Sequence, residues 1–575
     1  MPRSFFRPFR GAALAAVAAI SAAGPMAEAG GLAGSYLAGR AAIYDGDFVS
    51  AALYYSQALA RDPQNPVLME NLVFAQLAMG QIDAAVPVAE RLWQIGARSQ
   101  AANIVMAGNF ARRGDFQAIL DRDLSRHAIH PLVDGLLEGW AHMGAGSVSS
   151  ALKRFDELAD DGSLRPFVLY HRALALASAG DYGGAEELFA ADDGQLTGLS
   201  RRAAIARVQI LSQLGRTEQA QTVLGESFGS RLDPGLERLA TALEAGETLP
   251  FTIAPSARDG VAEVFFTLGA ALNGDTADDY VLMYVRMAAA LSPDHADAIL
   301  LSAGLLDRLG RYELSVATYK QVPAGHPDHH AAELGRAEAL RRAAKPDAAI
   351  EVLEQLSRDY PDHAGVYVSL GDLLRQQEGY AAAARAYDKA LAATPEDDGS
   401  RWFLLYARGI CHERLGQWEQ AEGDFRASLA LDPDRPQVLN YLGYSLVEKS
   451  SKLDEALEMI ERAVAARPDS GYIVDSLGWV LYRLGRFEEA VGHMERAVEL
   501  MPVDPVVNDH LGDVYWAVDR KREAEFQWKR ALSFIDPEDS DGEADPERIR
   551  RKLKVGLDAV LAEEGAAPLK VANGG

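Results

Sequence analysis

The sequence predicts an all-α solenoid of stacked helix–turn–helix repeats, and three observations support this fold. Residues 471–504 read as two amphipathic helices separated by Gly485, because a residue without Cβ can take φ > 0 at a helix end. The same order of small, large and proline positions returns 34 residues later and also precedes this stretch. A step of five residues from a turn glycine to a helix-start alanine continues the pattern through the N-terminal half. We therefore expect about 13–14 hairpins, arranged in two arms.

Composition and charge narrow the functional classes. The chain has 575 residues, too many for one compact core but ordinary for a repeat array. Its formal net charge of −26 argues against nucleic-acid binding, which requires a basic surface to neutralise phosphates. The single cysteine, Cys411, excludes an intrachain disulfide and argues against a cysteine-ligated zinc site.

Residues 1–29 have the pattern of a secretory signal peptide. Three arginines form its basic start: Arg3, Arg7 and Arg10. The apolar segment 11–23 is short for a transmembrane helix, and the small-x-small run at 27–29 predicts cleavage before Gly30. The alternative is an uncleaved N-terminal anchor. No cysteine lies near the cleavage site, so we expect a periplasmic or otherwise exported protein that is not a lipoprotein and has no integral membrane span after cleavage.

The mature chain divides by the regularity of its repeats. Residues 30–229 carry degenerate repeats, and residues 262–538 carry a regular array. Between them, residues 230–261 break the phase with several Pro and Gly residues, which favours an irregular joint between two arms. The alternative is a degraded repeat that packs continuously with its neighbours.

The C-terminal residues predict a cap on the last repeat. A helix over 545–564 would begin with Asp545 as N-cap and Pro546 at the first helical position. A solenoid needs such a cap, because its last hairpin otherwise exposes an apolar face. We expect the tail at 565–575 to be disordered.

The sequence contains no P-loop, nucleophile elbow, HExxH or Gly-rich dinucleotide turn. Four side chains at one repeat junction could ligate a metal: His326, His329, His330 and Glu333. The alternative is a polar turn, since a solvated loop lacks the groups that hold ligands in place.

The acidic run Asp539–Glu543 does not have the EF-hand spacing, and its composition predicts a flexible linker. Cys411 falls inside a first helix and reads as a buried core residue rather than a reactive thiol. We expect no enzymatic activity, no cofactor and no metal.

The 34-residue pattern resembles the tetratricopeptide repeat (TPR). In the best unit the matching small and proline positions are Gly478, Ala490, Ala497 and Pro502. The resemblance covers most of the mature chain. It implies a right-handed superhelix whose first helices line a concave groove, and it implies a scaffold role.

Part of the C-terminal array has a narrower resemblance. The runs NYLGYSLVEKSSKLDEALEMIERAVAARPDSGYIVDSLGWVLYRLGRFEEAVGHMERA and HLGDVYWAVDRKREAEFQWKRAL are similar to a group of proteobacterial envelope TPR proteins. One type in this group is an outer-membrane lipoprotein adaptor that binds and activates a carboxyl-terminal processing protease. The resemblance implies delivery of envelope substrates, such as cell-wall hydrolases, to a protease. This chain lacks the lipid-modified cysteine, so outer-membrane tethering does not follow.

The TPR resemblance also predicts which side chains face the groove. Counting along the best repeats gives an aromatic and acidic set: Tyr406, Glu413, Asn440, Tyr444, Glu448, Tyr472, Asp475, Trp479, Tyr482, Arg483, Asp509, Asp513 and Trp516. Aromatic side chains of this kind anchor peptide partners, and Arg can pair with a carboxylate. The Lys and Asn set of carboxylate-clamp TPR domains is not present, so binding of acidic C-terminal tails is not implied. The alternative is that Trp479 and Trp516 pack between adjacent helices.

The leading hypothesis is an exported, non-enzymatic scaffold that binds a protein partner in this groove. The partners implied by the resemblance are a carboxyl-terminal processing protease and its substrates. Stacked helices would present many contact points at little ordering cost. The alternative is a structural subunit of an envelope secretion or polysaccharide-export assembly.

Overall fold

The computed structural model describes residues 31–159, 164–191, 195–229, 232–536 and 544–566, and every regular element in these ranges is a helix. The described residues form two compact units, divided after Pro361. The N-terminal unit contains α1 (Leu32–Tyr44), α2 (Phe48–Leu59), α3 (Pro66–Ala78), α4 (Ile82–Gln94), α5 (Gln100–Arg112), α6 (Phe116–Leu120), α7 (Leu124–His127), α8 (Pro131–Gly144), α9 (Val148–Leu158), α10 (Arg165–Ser178), α11 (Tyr182–Ala191), α12 (Gln195–Gly198), α13 (Arg201–Gln213), α14 (Thr217–Phe228), α15 (Pro234–Glu244), α16 (Ala257–Leu272), α17 (Asp278–Leu291), α18 (Ala296–Arg308), α19 (Tyr312–Tyr319), α20 (His329–Arg342) and α21 (Pro346–Asp359). The C-terminal unit contains α22 (Ala364–Gln376), α23 (Tyr380–Ala392), α24 (Arg401–Arg414), α25 (Trp418–Leu431), α26 (Pro436–Glu448), α27 (Leu453–Ala466), α28 (Gly471–Arg483), α29 (Phe487–Leu500), α30 (Pro505–Ala517), α31 (Lys521–Phe534), α32 (Pro546–Val555) and α33 (Leu557–Glu563).

Consecutive helices pack as hairpins in both units. The pairs are α1–α2, α3–α4, α5–α6, α8–α9, α10–α11, α13–α14, α16–α17, α18–α19, α20–α21, α22–α23, α24–α25, α26–α27, α28–α29 and α30–α31. The second helix of a pair also contacts the first helix of the next pair, as α27 contacts α28 and α29 contacts α30. The predicted all-α helical-repeat fold, with its 13–14 hairpins, is therefore confirmed.

The recurring glycine of the first helix allows the second helix to approach closely. A Cβ added to Gly478 would lie 2.7 Å from Cγ of Met494, and one added to Gly512 would lie 2.4 Å from Cδ1 of Trp528. Non-bonded carbon atoms repel one another strongly at this distance, since their optimal separation is about 3.5–4.0 Å. A larger residue would therefore force the two helices apart. The 34-residue recurrence of this small residue is thus a packing requirement of each hairpin.

The turn inside each hairpin requires a left-handed residue. Gly485 has φ 76°, as the sequence predicts, and the Arg486 amide that follows it bonds back to the carbonyl of Leu481 at 2.9 Å. Ala344 and Asp519 occupy the equivalent turns with φ of 57° and 64°. A Cβ is unfavourable in this conformation, so the turn at Ala344 is strained, whereas Asp is one of the few other residues that adopt it readily.

Helices α16 and α17 lie against the first helices of earlier hairpins in the N-terminal unit. They contact α3, α5, α8 and α10. The contact is close: a Cβ added to Gly260 of α16 would lie 2.1 Å from the Trp140 ring of α8. Gln100 of α5 donates a 2.9 Å hydrogen bond to the hydroxyl of Tyr284 in α17. The chain itself therefore covers much of the first-helix face in the N-terminal unit.

A buried ionic network holds α16 in this position. The carboxylate of Glu263 accepts hydrogen bonds from the Tyr170 hydroxyl and from Nε of Arg202, both at 2.9 Å, and lies 3.3 Å from Nε2 of His295. Arg202 also reaches Asp297 at 3.1 Å. Burial favours the neutral acid, but the charge of Arg202 and the His295 contact outweigh it and lower the pKa of Glu263 to about 2. Deleting one partner of such a network leaves an uncompensated charge, at a cost of roughly 3–5 kcal/mol.

The segment predicted as an irregular joint contains α15 and then an extended strip before α16. The strip lies along α13. The Gln209 side chain donates to the Thr252 hydroxyl at 2.8 Å and accepts from the Thr252 backbone amide at 2.9 Å, and the Ser212 hydroxyl accepts from the Leu249 amide at 2.9 Å. The compact units divide after Pro361. Whether residues 230–261 act as a joint between two arms stays a prediction.

The C-terminal cap consists of two helices, whereas the sequence predicted one. Gly556 separates α32 from α33 with φ 82°, and its Cβ would lie 2.6 Å from the Trp516 ring. Both this φ and the close approach to Trp516 favour glycine at the break. Asp545 accepts a 2.8 Å hydrogen bond from the Glu547 amide, which is the expected N-cap. The predicted signal peptide, the acidic segment at 537–543 and residues 567–575 of the predicted tail lie outside the described residues.

Candidate protein-binding site

The thirteen predicted groove residues all lie on first helices of the C-terminal unit. Tyr406 and Glu413 are on α24; Asn440, Tyr444 and Glu448 are on α26; Tyr472, Asp475, Trp479, Tyr482 and Arg483 are on α28; Asp509, Asp513 and Trp516 are on α30. They differ in exposure and in their partners, and eight of them form three groups.

The first group is an aromatic row on α24, α26 and α28, formed by Tyr406, Tyr444, Tyr472 and Trp479. All four side chains are partly exposed. Tyr406 packs edge-on against Tyr441, with ring centroids 5.7 Å apart. Burial, with a smaller contribution from Tyr472, raises the pKa of Tyr406. A row of partly exposed rings on rigid helices is suited to anchoring apolar side chains of a partner.

Trp479 is held in place by stacking. Its ring lies parallel to those of Tyr482 and His510, with centroid distances of 4.9 and 4.0 Å. Its Nε1 donates a 2.8 Å hydrogen bond to Glu448, and Nη1 of Arg483 lies 3.6 Å from the same carboxylate. Trp479 therefore both packs between helices, which was the alternative prediction, and keeps part of its surface exposed.

The second group consists of three buried carboxylates, Asp475, Asp509 and Asp513, which pair with residues outside the predicted set. His510 lies 3.1 Å from Asp475. Burial disfavours the imidazolium, but the carboxylates of Asp475, Asp509 and Asp513 outweigh it and raise the pKa of His510 to about 9. The ring that stacks on Trp479 is therefore cationic at neutral pH, an arrangement that favours the stack.

The cap closes the end of this face. Nζ of Lys552 on α32 lies 2.7 Å from Asp509 and 2.6 Å from Asp513, and Lys552 is 1% exposed. Nε1 of Trp516 donates a 2.9 Å hydrogen bond to Asp558 of α33. Asp509, Asp513 and Trp516 thus bind the cap, which leaves the aromatic row as the partly exposed portion.

The third group is a single residue, Asn440. Its side chain is fully buried, and among the described residues neither Oδ1 nor Nδ2 has a hydrogen-bond partner. A buried amide without partners costs about 1–3 kcal/mol. The equivalent residues of the next two repeats each have a partner: Asp475 bonds to His510 of the next first helix, α30, and Asp509 accepts from Lys552 of the cap helix α32.

Sequence reasoning missed His510, Lys552 and Asp558. The sequence could have predicted an ion pair for Lys552. This residue stands three positions after Ile549 on the predicted apolar face of the cap, and a buried cation there requires a buried anion as its partner. His510 had none, since its contact with Asp475 depends on how two first helices pack.

The structure also shows where the candidate metal ligands and Cys411 lie. Nδ1 of His326 accepts from the Asp328 amide at 3.1 Å, and Glu333 pairs with Arg336. Within the described ranges no group of three or more His, Cys, Asp or Glu side chains is arranged to hold a metal ion. Cys411 is buried, and burial raises its pKa to about 11, which fits a core residue. None of the helices in the described part of the chain is long and apolar enough to span a membrane.

Comparisons with known proteins identify the repeats. Models of the tetratricopeptide repeat match residues 42–107, 136–195, 334–398, 402–435 and 445–505, so the chain contains TPRs. A stretch of 104 residues is 38% identical to the TPR repeat-containing protein PA4667 of Pseudomonas aeruginosa, covering 18% of this chain and 17% of that protein.

Three solved structures show similar helical repeats at low identity. The Cut9–Hcn1 hetero-tetramer of the APC/C has a TM-score of 0.37 and 16% identity, covering 91% of this chain and 96% of that chain. Yeast Tom70 has a TM-score of 0.33 and 13% identity, covering 93% and 98%. YrrB, described as a TPR protein with an unusual peptide-binding site, has a TM-score of 0.27 and 20% identity, covering 33% and 95%.

Proposed function

We propose that this TPR-containing chain is an exported scaffold that binds a protein partner on its aromatic row and presents envelope substrates to a periplasmic carboxyl-terminal processing protease. The observation that carries the proposal is the contrast between the two units. In the N-terminal unit α16 and α17 lie against the first helices α3, α5, α8 and α10, whereas in the C-terminal unit Tyr406, Tyr444, Tyr472 and Trp479 stay partly exposed. The resemblance of the C-terminal repeats to envelope adaptors supports the choice of partner, and the signal-like N-terminus supports export.

The mechanism is geometric. Helical hairpins fix the aromatic rings before binding, so a partner segment orders few groups of the scaffold when it docks. Two partners held on one chain meet at a raised effective concentration, which would speed proteolysis without any catalytic group on the scaffold.

Photocrosslinking tests the surface and the partner together. A benzoylphenylalanine at Tyr472 should crosslink the protease or its substrate in intact cells, whereas the same residue at Trp418, on the second helix α25, should not. The double variant Tyr444→Ala/Tyr472→Ala should weaken partner recovery by at least tenfold, since buried aromatic anchors contribute about 1–2 kcal/mol each. Equal crosslinking at both positions, or products that contain neither the protease nor one of its substrates, would contradict the proposal.

Two further measurements test the remaining parts. Purified full-length chain should accelerate degradation of an envelope substrate by the protease, and Trp418→Ala should accelerate it equally. N-terminal sequencing of the protein from the cell envelope should begin at Gly30. Recovery of the uncleaved chain in the cytoplasmic fraction would count against export.

A further inference from the structure

The charged groups on the first helices of the C-terminal unit are satisfied within the chain. Each carboxylate has an internal partner: Asp372 binds the Tyr387 hydroxyl, Glu413 the Tyr441 hydroxyl, Glu448 the Trp479 indole, Asp475 the His510 ring, and both Asp509 and Asp513 the Lys552 ammonium. The first-helix face therefore offers a partner little unpaired charge, although the chain as a whole carries −26.

Asn440 is the exception to this internal pairing. Its counterparts Asp475 and Asp509 bond across to a later helix, but the residue in the facing position, Ser476, donates its hydroxyl hydrogen to the carbonyl of Tyr472 in its own helix at 2.9 Å. Trp479 and Glu448 bond across the junction between α26 and α28, but the Asn440 position of this junction lacks the cross-helix bond that Asp475 and Asp509 make at the next two junctions. Both the donor and the acceptor of the Asn440 amide remain unused among the described residues.

The position of Asn440 connects it to the aromatic row. Tyr444 lies four residues further along α26, and Tyr472 lies four residues before Ser476 on α28, so helical geometry places both on the same faces as this junction. A side-chain amide has one acceptor and two donor hydrogens, which match the N–H and C=O of a peptide unit.

We propose that the partner segment bound here is an uncharged, extended peptide, with its backbone bonded to the Asn440 amide and its apolar side chains on Tyr444 and Tyr472. This inference rests on the proposed function and specifies the chemistry of the partner. Asn440 is fully buried in the unbound chain, so the side chains that cover it must move for a peptide to reach the amide. The gain on binding comes from pairing a buried amide and covering rings, neither of which depends on salt.

Peptide selection on the full-length protein tests this chemistry. A phage-displayed random dodecapeptide library should yield binders rich in uncharged residues. The dissociation constant of a synthetic binder should change less than twofold between 50 and 500 mM NaCl. A consensus rich in Lys, Arg, Asp or Glu, or a tenfold loss of affinity with salt, would overturn the inference while leaving the proposed function standing. Failure to enrich any sequence would count against the proposed function itself.

Two matched variants separate a binding role for Asn440 from a structural one. Asn440→Leu should weaken the synthetic binder by at least tenfold while leaving the thermal midpoint unchanged or higher, because it removes an unpaired buried amide. Asn508→Leu is the control: Asn508 is equally buried but donates hydrogen bonds to Pro502 and Asp504, so the variant should lose stability and keep its affinity. Unchanged binding by Asn440→Leu would refute the role given to Asn440.

Discussion

At the scale of single residues, His510 makes the stability of the C-terminal unit depend on pH. Its folded pKa of about 9 lies above the unfolded value near 6.5, so the charged form is stabilised by folding. The contribution is fully present below pH 6.5 and is lost as the pH rises through 9. A difference of about two and a half pKa units corresponds to roughly 3 kcal/mol.

The prediction is that raising the pH from 7 to 10 destabilises wild type more than His510→Gln. Hydrogen exchange of peptides from α28 and α30 would measure this difference, because other groups that titrate in the range contribute equally to both proteins. His493→Gln, on the second helix α29, is the control and should retain the wild-type slope. Parallel pH profiles for wild type and His510→Gln would show that the pairing with Asp475 does not stabilise the fold.

The same residues show what sequence can predict at this scale. Gly478 is a small-residue position of the predicted repeat pattern, and Met494 of the second helix lies against it. Asp509 was predicted to face a groove, but the structure places Lys552 of the cap against it. The difference is physical: the first contact lies within one hairpin and repeats with the period, whereas the second joins elements whose docking has no periodic signal.

At the scale of helices and turns, the hairpin turns offer a second prediction. Ala344 holds a left-handed conformation that costs an L-residue about 1–2 kcal/mol, and glycine at this site would remove that strain. Because glycine also has greater freedom in the unfolded chain, the net gain for Ala344→Gly should be about 1 kcal/mol or less. The thermal midpoint of the N-terminal unit should rise by about 1–2 °C.

Gly310→Ala is the reciprocal variant, since Gly310 has φ 72° in the preceding turn. It should lower the midpoint by a similar amount. If both variants lowered the midpoint, strain at Ala344 would be too small to matter. The sequence pattern locates such turns well because glycine is frequent at them, but it cannot show that an alanine has taken the same backbone angle.

At the scale of the whole molecule, the sequence predicts the stack of repeats but not which of their faces stay exposed. The 34-residue period determines which faces of a hairpin are apolar, and so it predicts the stack. It does not show that α16 and α17 lie against the first helices α3, α5, α8 and α10, because the hairpin of α16 and α17 carries the same pattern as any other. Gly260 and Gly108 gave only a weak signal, since a glycine within a helix is compatible with many kinds of close contact.

The final prediction concerns the face of α3, α5, α8 and α10 that α16 and α17 cover. Gly260→Val would place a side chain where a Cβ alone lies 2.1 Å from Trp140, so α16 must shift away from α8. We expect faster hydrogen exchange in α8 and α16, and a loss of about 1–3 kcal/mol in the N-terminal unit. Binding of the selected peptide should be unchanged, because the aromatic row belongs to the C-terminal unit. Gly225→Val in α14 is the control, since no atom lies within 4 Å of its added Cβ. Peptide binding that fell with Gly260→Val but not with Gly225→Val would show that the N-terminal unit contributes to recognition.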